Sequence, residues 1–253
     1  MLRPDRYHKA EAMLKSYPSY RPVFGATEFR RRNMHYLLPN EEGKAFLYTY
    51  IRKNACTSFK MLMMDRVGAK APRSLEKIRK FRTPVGFRDW DQALLVYRDP
   101  VDRAISAFTN KFIDGSGNVD IFRSFEALTG KDAASATFRD YLSYTRNPFS
   151  KLDPHTWPQK AHLMDGEYSI VVEMKEISKV MKAELPSVAG YFRKPLNSSN
   201  TGAESTEDLS DVPANQIAKY SKSSFEALRP EFEDVYAVDM EMIAQIKKNT
   251  PEG

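Results

Sequence analysis

The apolar positions of this chain change period several times, and each change marks an element. Phe46, Leu47, Tyr48, Thr49, Tyr50 and Ile51 form an unbroken β-branched and aromatic run, the pattern of a largely buried strand. Phe59, Leu62, Met63 and Val67 then recur at helical spacing, with Gly68 placed as a C-terminal cap. The pattern predicts strand, turn and helix, with Thr57 or Ser58 as the N-cap. Ala93–Tyr97 is a second buried strand. Beyond Arg98, Asp99 is a good N-cap and Pro100 suits the first helical position. Val101, Ala104, Ile105, Phe108 and Phe112 make that helix's core stripe, which leaves Asp102, Arg103, Ser106 and Asn110 on the other side.

After the loop IDGSGNVD come two helical segments, around 121–129 and 134–145, and the proline-punctuated loop LDPHTWPQKAH. A third strand runs from Tyr168 to Met174, with a helix at 175–185; a polar loop, KPLNSSNTGAESTEDLSDVP, leads to mostly helical residues 213–247. Strands alternating with helices predict an α/β fold, one domain over 41–247 with a central parallel sheet flanked by helices. Residues 1–40, basic and carrying Pro4, Pro18, Pro22 and Pro39, read as an N-terminal arm, residues 69–90 as basic and irregular, and 248–253 as a tail.

Composition narrows the function. A hydrophobic content of 42% suits a globular core rather than disorder, and no apolar run approaches the roughly 18–20 residues of a membrane span. The opening MLRPDRYHKAEAML lacks the apolar stretch of a secretion signal, and the single cysteine, Cys56, fits a reducing compartment. A cytoplasmic protein is expected. The net charge of +6 points to an anionic partner: nucleic acid, nucleotide or acidic glycan. The chain has no nucleic-acid-binding motif, no internal repeat and no Cys/His spacing for a metal, so neither nucleic acid nor metal is expected.

The turn Arg52-Lys53-Asn54-Ala55-Cys56-Thr57-Ser58 carries the most specific chemistry. The first backbone N–H groups of a helix lack intrahelical partners and, with the helix dipole, favour an anion, commonly a phosphate. Lys53 adds a full positive charge. Read by itself, the turn is equally an ordinary strand-to-helix connection with a capping hydroxyl and a solvated lysine. Walker A spacing fails, because the turn has no glycine and the lysine precedes it. Arg98 stands at the carboxyl end of a strand, where open α/β sheets bind ligands and a guanidinium clasps phosphate through two parallel hydrogen bonds. Taken singly, Arg98 reads rather as an ion-pair partner of Asp99 or Asp102, and Ser106 as a surface serine.

Together the two stretches resemble a family. KNACTSFK resembles the 5′-phosphosulfate loop of sulfotransferases that use 3′-phosphoadenosine 5′-phosphosulfate (PAPS), and RDPVDRAISAF the matching 3′-phosphate motif R-D-P-x-x-R-x-x-S-A. The carbohydrate sulfotransferases, with their heparan-sulfate 2-O and chondroitin/HNK-1 branches and bacterial counterparts, look most similar. DPHTWPQ is similar to the D-x-H-W-x-P-Q segment of the chondroitin-type branch. YSIVVEMKEIS, Asn197-Ser198-Ser199 and Lys219-Tyr220 parallel that branch's later segments, so the likeness covers about residues 45–236.

The resemblance implies a P-loop-kinase-like sulfotransferase architecture, PAPS as donor, bisphosphoadenosine (PAP) as product and a hydroxyl acceptor on a sugar of a glycan or glycolipid. It implies that Lys53 reaches the oxygen bridging phosphate and sulfate. Asn54, Ala55, Cys56, Thr57 and Ser58 would cradle the 5′-phosphosulfate, and Arg98 and Ser106 would hold the 3′-phosphate. Cys56 is then a packing residue.

Three departures stand out. Arg52 replaces the usual proline before the lysine, and the tryptophan of DPHTWPQ is displaced by one position. The heparan-type branch has a catalytic histidine between its two nucleotide motifs, and this chain has none between Lys53 and Arg98. Among His8, His35, His155 and His162, His155 is the expected general base because it lies in the DPHTWPQ loop, with Glu76, Asp65 and Asp89 as carboxylate competitors. The rival readings are a nucleotide kinase or NTPase of related fold, and a non-catalytic binding protein that keeps the fold.

Overall fold

A computed structural model describes residues 35–39, 45–68, 78–83, 89–115, 119–148, 150, 153–164, 167–193 and 207–249. Glu76, Asn197-Ser198-Ser199 and residues 1–34 of the expected arm lie outside them. The described residues fall into two compact units, one within Ala26–Arg98, Gln159–Asn197 and Ile243–Gly253, the other within Asp99–Pro158 and Ser198–Met242.

The first unit holds the sheet. Its strands are β1 (His35–Pro39), β2 (Ala45–Thr49), β3 (Gln92–Tyr97) and β4 (Ile170–Glu173), in the order β1-β2-β3-β4. β2, β3 and β4 run parallel, with Tyr48 opposite Leu94 and Tyr97 opposite Glu173. β1 pairs antiparallel with β2, His35 facing Thr49, so the sheet is mixed rather than wholly parallel. His35–Pro39 falls in the span read as an arm; at five residues it is too short to stand out before a partner strand is known.

The strands look uniformly apolar because both of their faces are covered. Phe46 and Tyr48 of β2 and Leu94 and Val96 of β3 join one cluster with Phe59, Leu62 and Met63 of α1 (Cys56–Arg66) and Ile177 and Met181 of α5 (Ile177–Glu184). Leu47 and Ala93 turn to the opposite face and pack with Met164. Tyr48 stacks on Phe59, ring centroids 3.6 Å apart, which fixes α1 against β2.

The second unit is helical among its described residues. Its elements are α2 (Pro100–Phe108), α3 (Val119–Thr129), α4 (Phe138–Arg146) and α6 (Arg229–Val235). The helix α7 (Ala237–Asn249) begins in this unit and ends in the other. The core is aromatic: Phe108 packs on Phe138 at 5.2 Å and on Phe225 at 5.8 Å, and Phe138 stacks on Phe232 at 4.7 Å. Asp99 caps α2 by accepting from the Asp102 N–H at 2.9 Å, with Pro100 at the first turn. A capping box between Thr137 and Asp140 starts α4. The α-helical part of α2 stops at Phe108, and a π-helical turn, Thr109–Ile113, carries Phe112 into the core.

Candidate functional site

The turn after β2 is shaped by backbone conformation rather than by glycine. Lys53 and Ala55 both take positive φ, 70° and 55°, a region that costs a non-glycine residue on the order of 1–3 kcal/mol and is tolerated where the surroundings enforce it. The N-cap of α1 is Ala55, not Thr57 or Ser58, and no side chain caps that terminus. A methyl group there leaves no hydroxyl to compete with a bound anion. Exposure alternates through the turn: Lys53, Ala55 and Thr57 are half-buried, whereas Asn54, Cys56 and Ser58 are buried.

Asn54 is tied into the protein interior. Its N–H donates to Ile51 O at 3.2 Å, and its Nδ2 donates to Val96 O at 2.9 Å and to Gln159 Oε1 at 2.6 Å. All three of its donors are committed inside the protein, and these bonds shape the turn. Cys56 packs in the cluster behind the turn. Burial raises its thiol pKa, but the Lys60 ammonium, the Arg52 guanidinium and the Lys53 N–H outweigh burial and bring it below the ordinary thiol value. Arg52, standing where proline was expected, lies over the Tyr50 ring at 5.3 Å.

Arg98 follows β3, which runs parallel to β2, so it stands at the same end of the sheet as the turn. Its Nη1 donates to Lys53 O at 3.3 Å. The Arg98 backbone is gripped by Gln159, whose Oε1 accepts from the Arg98 N–H at 2.9 Å and whose Nε2 donates to Arg98 O at 2.7 Å. Lys53, Arg98, Asn54 and Gln159 thus form one hydrogen-bonded assembly in the sheet unit. Asp99 and Asp102 take Arg229 as an ion-pair partner, at 3.3 and 3.2 Å.

The profile of the sulfotransferase family matches residues 40–242. This chain belongs to the sulfotransferase family. No individual curated protein and no solved structure gives a significant match. Sulfotransfer is thus the general activity, and the α/β architecture with its mixed four-stranded sheet is consistent with the family fold.

Two further expected residues of this sulfotransferase lie in the helical unit. Ser106 is half-buried on α2, on the side that carries Asp102. His155 is buried in the turn after Ser150, and its Nδ1 lies 2.7 Å from Asp153 Oδ1. A carboxylate only accepts, so Nδ1 carries the proton and Nε2 is the basic nitrogen of the neutral ring. Asp153 Oδ1 also accepts from the His155 N–H at 2.8 Å. Among the competitors, Asp65 is exposed and accepts from Tyr191 Oη, and Asp89 is exposed.

Arg103 corrects the expected helix face. It is 1% exposed and does not lie with Ser106 on the solvent side. Its guanidinium donates to Trp157 O at 2.6 Å, His155 O at 3.3 Å and Pro154 O at 3.4 Å, clamping the DPHTWP turn onto α2. Sequence reasoning passed over Arg103, Asp153 and Gln159. Each occupies a fixed position in a quoted motif, the second arginine of R-D-P-x-x-R and the ends of DPHTWPQ, and that was the available signal. Among the described residues, no group of three or more His, Cys, Asp or Glu side chains is placed to hold a metal, and no helix is long and apolar enough to cross a membrane.

Proposed function

We propose that this sulfotransferase moves the sulfuryl group of PAPS to a hydroxyl on a carbohydrate acceptor by in-line attack. The observation that carries this reading is the assembly of Lys53, Asn54, Arg98 and Gln159. It ties the backbone of Lys53, beside an uncapped helix terminus, to Arg98 at the carboxyl end of parallel strands, which supports placing two anionic groups there. We assign Lys53, Ala55 and Thr57 to the 5′-phosphosulfate and Arg98 to the 3′-phosphate, all four in the sheet unit; the family resemblance adds Ser106 to the second role. Asn54 supports the turn from behind, and Cys56 and Ser58 pack beneath it.

In the reaction, the bond between sulfur and the bridging phosphate oxygen breaks, and a bond from the acceptor oxygen to sulfur forms. The leaving oxygen keeps the electron pair, and Lys53 and the N-terminus of α1 meet its charge without reorganising. The family resemblance makes His155 the general base for the acceptor proton, and the Asp153 contact at Nδ1 would leave Nε2 as its basic nitrogen. The basic chain suits an anionic glycan, as in the heparan-sulfate 2-O and chondroitin-type branches, and the single cysteine suits a cytoplasmic, bacterial-like setting.

A thermal-shift panel of bisphosphoadenosine, ADP, ATP and NAD tests the donor class. A ligand at a hundred times its dissociation constant stabilises the fold by about 2.7 kcal/mol. Selective stabilisation by bisphosphoadenosine is expected. Preference for ATP or ADP, with activity lost reversibly on chelation, would move the reading to a nucleotide kinase. Binding without turnover of any sugar acceptor would favour a non-catalytic relative.

A further inference from the structure

The pairing of β2 with β3 ends at Tyr48 opposite Leu94, four residues before Arg98. Beyond that point two side-chain amides take over from the missing strand. Asn54 Nδ2 satisfies Val96 O, and Gln159, fully buried, satisfies both the N–H and the C=O of Arg98. Gln159 Oε1 also receives the second Asn54 hydrogen at 2.6 Å. The partners fix the orientation of both amides, because reversing either would set donor against donor or oxygen against oxygen. The result is a closed ring. It runs from the Lys53–Asn54 peptide through the Asn54 amide, the Gln159 amide and the Arg98 backbone, and returns from the Arg98 guanidinium to Lys53 O.

We propose that Gln159 is a positioning residue that couples recognition of the two ends of the nucleotide, holding the turn at Lys53 and the guanidinium of Arg98 in one register. The inference rests on the PAPS-site reading above and goes beyond it by assigning work to a residue that touches neither phosphate. Only glutamine has the reach and the mixed donor–acceptor head for this place. Glutamate keeps the oxygen for Asn54 and the Arg98 N–H but sets a second oxygen against Arg98 O, and alanine removes all three bonds.

The test compares the dissociation constants of bisphosphoadenosine and adenosine 5′-phosphate by calorimetry, for wild type, Gln159→Glu and Gln159→Ala, with circular dichroism to confirm folding. Their ratio in wild type measures what the 3′-phosphate contributes through Arg98. Loss of charge-assisted contacts predicts that Gln159→Ala reduces this ratio about tenfold or more, with Gln159→Glu between it and wild type. A purely structural glutamine would lower the melting temperature and leave the ratio of the folded protein unchanged. An unchanged ratio in Gln159→Ala, or in Gln159→Glu where the alanine variant does not fold, overturns the coupling while leaving the PAPS reading intact. A wild type that binds adenosine 5′-phosphate as tightly as bisphosphoadenosine overturns both.

Discussion

Replacing Arg103 by alanine is expected to be among the most destabilising single changes in the helical unit. The side chain is 1% exposed, and its guanidinium is spread over three carbonyls. Only the bond to Trp157 O, at 2.6 Å, has the short length of a strong charge-assisted contact, worth about 1.5–3 kcal/mol net. The contacts at 3.3 and 3.4 Å together add less than one such bond. Truncation also strands buried carbonyl oxygens and empties the space of the aliphatic stem. We set the loss at about 3–5 kcal/mol, the size seen when one side of a buried charged arrangement is removed. Domains are stable by about 5–15 kcal/mol, so this is a large fraction of the total. Urea unfolding followed by circular dichroism measures it as a shift of midpoint at unchanged slope. Arg103→Lys should recover only part of the loss, because a point charge cannot serve three spread acceptors. An Arg103→Ala loss within about 0.5 kcal/mol, the scale of an inconsequential surface change, would refute the clamp.

Lys53→Ala should lower turnover by about two to three orders of magnitude at saturating donor, as loss of a preorganised electrostatic group does; near-normal turnover would remove Lys53 from the chemistry. His155→Ala should depress turnover about 10²–10⁴-fold with bisphosphoadenosine affinity retained, and should abolish the rise of rate through the imidazole pKa; a rate and pH profile like those of wild type would make the Asp153–His155 pair a packing element. Acid should loosen the helical unit. Burial works against charge on Asp99, but the Asp102 N–H and Arg229 outweigh it, and a hydrogen bond from Arg229 lowers Glu226, so both carboxyls sit below their ordinary range. Their contribution is complete above about pH 4–5 and is lost as pH falls through the lowered values. Arg229→Ala should therefore move the acid-unfolding midpoint upward, and an unmoved midpoint in a pH titration of fluorescence would contradict the pairing.

Much of this protein was determined locally and was therefore legible in the chain. The runs at Phe46–Ile51 and Ala93–Tyr97 read as buried strands because each residue is apolar whichever way it points, and both became strands within a residue or two. Asp99 and Pro100 start α2 for reasons confined to four residues. The places of Lys53 and Arg98 after parallel strands were legible because the alternation of elements already implied the strand direction.

The tertiary structure decided what depended on partners distant in sequence. Pairing of β1 against β2 needed a neighbour to make five ordinary residues a strand. Helical periodicity put Arg103 on the solvent face, because a charge is expensive to bury. Three carbonyls of a turn more than fifty residues away reverse that preference, and no local pattern shows them. Asn54 looked like a ligand contact because of its place in the turn, but its donors are taken by Val96 and by Gln159, 105 residues further on. Periodicity reports which face of an element is apolar, and it therefore predicts cores. It says nothing of which distant carbonyl a polar side chain will meet, and hydrogen bonds of that kind hold the Lys53 turn in one unit and the DPHTWP turn in the other.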